Sequence, residues 1–386
     1  MAERGFIPAD KITCIVDREL GDRIEELLTE RGTQGLLVQA GRAAVLRARR
    51  WALNPRKTER LEVDPAEVFR FYVPAGQDRP VIALLAGEAG LEIPGRGSVF
   101  SERVQLYGLQ PRPLVRERFR EAAQGQAALQ AHLAYICCIV QRGEAAALAQ
   151  AVLQMGLSAP VVTLWTGMGL RDKLGLLRIT IPANKDLLHV VVARQDAAEA
   201  FDFMTDVARL HQPGRGFIYM SPLRFGVINT RIYRGEVRHV ASIEQVIAAI
   251  DTLKGDPGWR KKTTLPRARR ERGYLRDLVS YTILGEESRV EELVRTALEA
   301  GAGGATVSNL RAAGRPAAGG AYVSRARQAS DLIIPADQVR VVHQAVLAGA
   351  QYEQDPDSGS ARELASEPGE LIELSEVEKA STYRHR

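Results

Sequence analysis

Pro94-Gly95-Arg96-Gly97-Ser98-Val99-Phe100-Ser101 and Pro213-Gly214-Arg215-Gly216-Phe217-Ile218-Tyr219-Met220-Ser221 place the same four residues at the head of an apolar run. Proline fixes φ and glycine opens the left-handed region, so each tetrapeptide reads as a loop feeding a strand. A looser version, Pro368-Gly369-Glu370-Leu371-Ile372-Glu373-Leu374-Ser375, stands near the end of the chain. A motif returning at equivalent places is a repeat signal, and a repeat changes how every other segment is read.

Outward from these loops, each repeat follows one plan. The first opens with Ile12-Thr13-Cys14-Ile15-Val16, continues with Leu20, Ile24, Leu27 and Leu28 at helical spacing, and stops at Gly32. That is a strand, an amphipathic helix and a glycine stop. The second gives Ile136 to Val140, an alanine-rich helix through Leu153, and Gly156. The third gives Leu278 to Leu284, then Val290, Leu293 and Ala297, and Gly301. A second strand follows each stop, and then a glycine-containing turn that reads as the mouth of a loop: Gly41-Arg42-Ala43, Thr166-Gly167-Met168-Gly169 and Ala312-Ala313-Gly314. Third strands follow at Glu67–Val73, Leu187–Ala193 and Asp331–Ile334. The second helix shows an apolar face of Phe201, Met204, Val207 and Ala208 in repeat two, and runs from Gln338 through Leu347 in repeat three.

The resulting expectation is an α+β chain of three tandem ferredoxin-like βαββαβ domains. They occupy 8–112, 131–236 and 273–386, the last divergent and ending in an acidic tail. A helical insert and basic linker fills 237–272, with a capped helix starting at Ser242 and reaching Leu253.

Composition agrees with a globular chain: 45% of the 386 residues are hydrophobic and 26% charged, enough apolar side chain for real cores. No basic-then-apolar leader and no apolar run of bilayer length is present, so a cytoplasmic protein without membrane insertion is expected. Cys14, Cys137 and Cys138 lack any CxxC or Cys/His ligand spacing and read as small core hydrophobes. The net charge of +5 is unevenly spread, with Arg42 to Arg60 and Arg260 to Arg272 basic and Glu353 to Glu378 acid-rich. The basic runs read either as solvated loops or as a nucleic-acid patch, and no nucleic-acid motif accompanies them.

Thr166-Gly167-Met168-Gly169 at the base of a loop, Pro-Gly-Arg-Gly in the later loop, and the strand–helix order between them resemble the PII signalling proteins and their PII-like relatives. The resemblance covers all three repeats and is closest in the second, where Gly175 to Leu188 also resembles the hairpin and third strand of the PII-like branch. It implies an intramolecular pseudo-trimer, monomeric as a chain, whose inward-facing sheets leave ligand clefts between neighbours. It further implies a bound adenine nucleotide (ATP, ADP, AMP or cyclic AMP) or a similar anion. Arg96 and Arg215 would be its phosphate partners, with Gly95, Gly97, Gly214 and Gly216 offering backbone N–H groups. Thr166 to Gly169, Gly41 and Arg42 would line the cleft, and Arg231 and Arg234 would add phosphate contacts. Converging N–H groups and a planar, always-charged fork suit phosphate oxygens.

The departures from the family are specific. Leu170-Arg171 stand where the family has the glutamine that binds 2-oxoglutarate, and no tyrosine lies between Gly169 and His189 for nucleotidylation. Glu370 replaces the loop arginine in repeat three. The six histidines show no metal-ligand spacing, and no Ser-His-Asp order or P-loop appears, so neither a catalyst nor a catalytic cofactor is expected. His189, within an apolar strand, reads as a satisfied core histidine. The expected role is that of a regulatory protein controlling a transporter or metabolic enzyme. The alternatives are a ligand-free adaptor on the same fold and, third, a basic-loop nucleic-acid binder.

Overall fold

The computed structural model describes residues 5–33, 35–51, 54–108, 129–169, 183–230, 233–234, 250, 253, 273–313, 326–351 and 371–383. The chain is α+β, with a large antiparallel sheet and six α-helices among the described residues.

The first segment runs β1 (Ile7–Asp17), α1 (Gly21–Glu30), β2 (Leu37–Trp51), β3 (Asn54–Pro74), α2 (Asp78–Ala89) and β4 (Gly97–Gly108). The second runs β5 (Gln130–Gln141), α3 (Ala145–Gln154), β6 (Val161–Met168), β7 (Asn184–Ala193), α4 (Ala197–Val207) and β8 (Gly216–Val227), followed by the two-residue β9 (Tyr233–Arg234). The third runs β10 (Leu278–Gly285), α5 (Glu287–Glu299), β11 (Ala305–Ala312), β12 (Ala326–Pro335), α6 (Val339–Gln351) and β13 (Leu371–Val377), and ends with β14 (Lys379–Thr382). Strand order repeats as well: β4-β1-β3-β2, β8-β5-β7-β6 and β13-β10-β12-β11.

The apolar faces explain the layers. In β1 the alternate residues Ile12, Cys14 and Val16 face the helices and pack with Ile24, Leu28, Val81, Ile82 and Leu85 of α1 and α2. The second segment repeats this with Ile136, Cys138 and Val140 against Leu148, Val152, Phe201 and Met204. The third uses Tyr281 and Ile283 against Val290, Leu293, Val342 and Val346. All three thiols are free and buried, and burial pushes those of Cys14 and Cys137 up to about 12.

The opposite sheet faces meet one another. Leu37 and Tyr72 from the first segment, Cys137, Trp165 and Tyr219 from the second, and Leu284, Leu310 and Ala329 from the third share one cluster. Strand edges close the arrangement into a ring. Gly41–Ala43 of β2 pair with Thr163–Val161 of β6, Thr166–Met168 of β6 with Val307–Ala305 of β11, and Arg311–Ala312 of β11 with Val38–Leu37 of β2. The last strands do the same. Val99–Phe100 of β4 pair with Val227–Gly226 of β8, β13 pairs with β4 over Leu371–Ser375, and β14 pairs with β8 over Lys379–Thr382.

Several expectations are corrected. Gly41-Arg42-Ala43 is no turn: it lies inside β2, where Gly41 pairs with Ala66 of β3 and Thr163 of β6, and a Cβ would come 3.2 Å from Val161 Cγ1. Small size lets the two strands approach. The basic loop beyond it is a hairpin, since β3 begins at Asn54 rather than Glu67. Thr166 to Met168 likewise continue β6 instead of forming a turn, and only Gly169 stands beyond the strand. The C-terminal part of the acidic segment is sheet, not tail, with Glu373 and Lys379 both buried. Most of the 237–272 insert, Gly314, and Pro368 to Glu370 lie outside the described residues.

Candidate functional site

The two Pro-Gly-Arg-Gly loops adopt one conformation. Gly95 and Gly97 have φ of 99° and 148°, and Gly214 and Gly216 have 72° and 140°. The second glycine of each loop presses on the first strand of its own repeat. A Cβ on Gly97 would stand 2.0 Å from the carbonyl oxygen of Ile15, and one on Gly216 would stand 2.0 Å from that of Ile139. The glycines are therefore required by a close backbone approach.

The loop arginines already have partners. Arg215 Nη1 lies 2.7 Å from Glu144 Oε1, just before α3, and its Nε donates to Gln212 Oε1 at 3.4 Å. Arg96 Nη1 donates to the Ala89 carbonyl at 3.4 Å, at the end of α2, where a cation complements the negative pole of the helix. The left-handed cap residue Gly90 leaves room for it, since a Cβ there would come 2.8 Å from Arg96 Nη1.

Gly95, Arg96 and Gly97 do line a small cleft between the first and second segments, together with Ala43 to Val45 of β2 and Val161 of β6. The chain leaving β8 runs through it. Asn229 Oδ1 accepts from the Gly95 N–H at 2.9 Å, its own N–H donates to Ser98 Oγ at 2.9 Å, and its carbonyl accepts from the Ala159 N–H at 3.0 Å. Beyond it, β9 pairs in parallel with β2, Tyr233 with Leu46 and Arg234 with Arg47. Arg231 lies outside the described residues. Thr166 and Gly167 are used in pairing with β11, next to Gly169, which is exposed.

Sequence reasoning missed a second concentration of chemistry where the inner sheet faces of the three segments meet. A cavity of about 60 Å³ there is lined from all three segments. Lys11 Nζ sits between Glu102 Oε2 at 2.8 Å and Glu373 Oε1 at 2.7 Å, and Tyr72 Oη donates to Glu373 Oε2 at 2.6 Å. Burial works to lower the Lys11 pKa, but the two carboxylates outweigh it and hold the ammonium above its usual range. Arg70 Nη1 donates to Gln39 Oε1 at 2.7 Å, and Gln39 Nε2 to Ser308 Oγ at 2.5 Å, joining β3, β2 and β11. Thr282 Oγ1 donates to Asp331 Oδ1 at 2.8 Å.

His189 also faces this region and is satisfied on both nitrogens, by Tyr135 Oη at 2.5 Å from Nδ1 and Thr163 Oγ1 at 2.6 Å from Nε2. Burial, reinforced by the Arg70 charge, lowers its pKa to about 3, so the ring is neutral. Among the described residues, no group of three or more His, Cys, Asp or Glu is placed to hold a metal, and no helix is long and apolar enough to cross a membrane.

No protein-family profile and no curated protein matches the chain. Among solved structures, the ligand-free regulatory subunit of aspartate kinase from Thermus thermophilus is 16% identical, covering 56% of this chain and 94% of its own, at a TM-score of 0.19. A likeness at that level leaves fold and function to be argued from the chain's own geometry.

Proposed function

We propose that the chain is a PII-like regulatory module, a single-chain pseudo-trimer of three ferredoxin-like units at 8–112, 131–236 and 273–386. The observation that carries this reading is the cyclic pairing: second strands β2, β6 and β11 pair with one another, and the closing strands β4, β8 and β13–β14 do the same. A ring of this kind gives three inter-unit clefts, and fusion in one chain lets each diverge. The module acts without catalysing a reaction, docking on a transporter or metabolic enzyme through loops that lead out of the second strands, of which the long basic β2–β3 hairpin is one. An adenine nucleotide or related anion enters an inter-unit cleft at the Pro-Gly-Arg-Gly loops and exchanges their internal contacts for phosphate.

The contacts now in place favour a second reading, a ligand-free adaptor on the same fold. Arg215 is held by Glu144, and the Gly95 N–H by Asn229. Calorimetric titration with ATP, ADP, AMP and cyclic AMP separates the two. Saturable binding of one nucleotide, abolished by Arg215→Ala or by Arg96→Ala, supports the sensor. Absence of heat with all four defeats it in favour of the adaptor.

A further inference from the structure

The central cavity is lined by a basic and an acidic side chain whose hydrogen-bonding capacity the surrounding protein leaves incompletely used. Corresponding third-strand positions carry Arg70 opposite Thr13, His189 opposite Cys137 and Asp331 opposite Thr282. The same place in three repeats has become a cation, a neutral ring and an acid. His189 is satisfied on both sides, and Lys11, Glu102, Glu373 and Tyr72 bond to one another.

Arg70 and Asp331 differ from these groups. Arg70 makes one side-chain bond, to Gln39, and Asp331 one, to Thr282, whereas a guanidinium carries five donors and a carboxylate about four acceptor sites. No ion pair within 4.0 Å joins the two, and both line the same cavity. Burial raises the Asp331 carboxyl above its ordinary value, while Thr282, Lys11 and Arg70 pull it back toward ionisation. A charge held inside a protein is costly unless it is paired.

We propose that this cavity is a binding site for a small zwitterion of the size of glycine, its carboxylate on the Arg70 guanidinium and its ammonium on Asp331. Size and charge both set this class. A cavity of about 60 Å³ holds an occupant of only a few non-hydrogen atoms, which sets glycine as the upper size and excludes bulky side chains. A simple anion would meet Arg70 and weaken its pull on Asp331, and a simple cation would meet Asp331 and give Arg70 no new partner. A zwitterion pairs both through charge-assisted hydrogen bonds. The site lies apart from the inter-unit cleft at Gly95 to Gly97, so it stands whether or not that cleft takes a nucleotide.

The test is calorimetric titration of the full chain with glycine, acetate, methylammonium and phenylalanine, followed by glycine on Asp331→Asn. Glycine is expected to bind saturably at one site, with acetate and methylammonium at least about tenfold weaker, phenylalanine silent, and Asp331→Asn weakened by at least about tenfold. Should the Asn variant fail to fold by circular dichroism, Arg70→Lys, which keeps the charge but loses the planar fork, carries the same expectation. No saturable glycine binding at millimolar concentration overturns the proposal. So does acetate binding as tightly as glycine, which marks an anion site, or glycine binding unaltered in a folded variant.

Discussion

Gly97 and Gly216 show how backbone geometry requires the second glycine of a four-residue motif. Each combines a positive φ with an absent Cβ, and the added atom would meet a strand carbonyl at 2.0 Å. Alanine at either position is expected to destabilise the fold by about 3 kcal/mol or more, read from urea denaturation, because the chain must move a central strand to accept it. Gly169, exposed and with open space around its Cα, should tolerate alanine within about 0.5 kcal/mol.

His189 sets a pH dependence at the same scale. Its folded pKa, about 3, lies below the ordinary 6.5, so on acidification the unfolded chain takes up a proton that the folded chain refuses. Stability is therefore full above pH 6.5 and falls between 6.5 and 3, with a slope approaching about 1.4 kcal/mol per pH unit from this one group. His343, also lowered by burial, adds in the same direction below 6.5. Denaturation curves at a series of pH values should show a shallower acid loss in His189→Gln, and an unchanged slope would contradict the assignment.

At the scale of elements, helices and first strands were legible because their apolar periods report a buried face directly. Leu20, Ile24, Leu27 and Leu28 mark α1, and Ile136 to Val140 mark β5. The β2–β3 hairpin was hidden because Gly41-Arg42 has turn chemistry, and because its pairing is fixed by β6 on the other side, a contact distant in sequence. The cavity was hidden for a related reason. In β1 the residues alternating with Ile12 and Cys14 are Lys11 and Thr13, a pattern that ordinarily means one wet sheet face. Here the polar face turns toward the strands of the other two segments, and only their arrangement makes it an interior. The loop arginines were found by motif, but their partners Glu144 and Ala89 carry no local signal of the contact.

The C-terminal strand offers a test at this level. In β14, Lys379 Nζ lies 4.2 Å from the Phe201 ring centroid and 4.6 Å from that of Tyr274, and four residues pair with the outer edge of β8. Truncation after Glu378 removes these contacts and opens that edge. The expected result is a lower melting temperature together with concentration-dependent association, seen by light scattering, as bared strand edges pair between molecules. A truncated chain that melts like the parent would show that β14 contributes nothing to closing the ring.

In the whole molecule, three segments of like strand order close around one shared face. Three segment cores lie between helices and sheet, and a further cluster joins the inner sheet faces of all three segments. Small-angle scattering with light scattering on the same sample tests this most directly. The ring predicts a monomer of 42.3 kDa with a radius of gyration near that of a compact chain of this length, about 21 Å. An assembly of three chains, or a monomer far more extended than that, would contradict it.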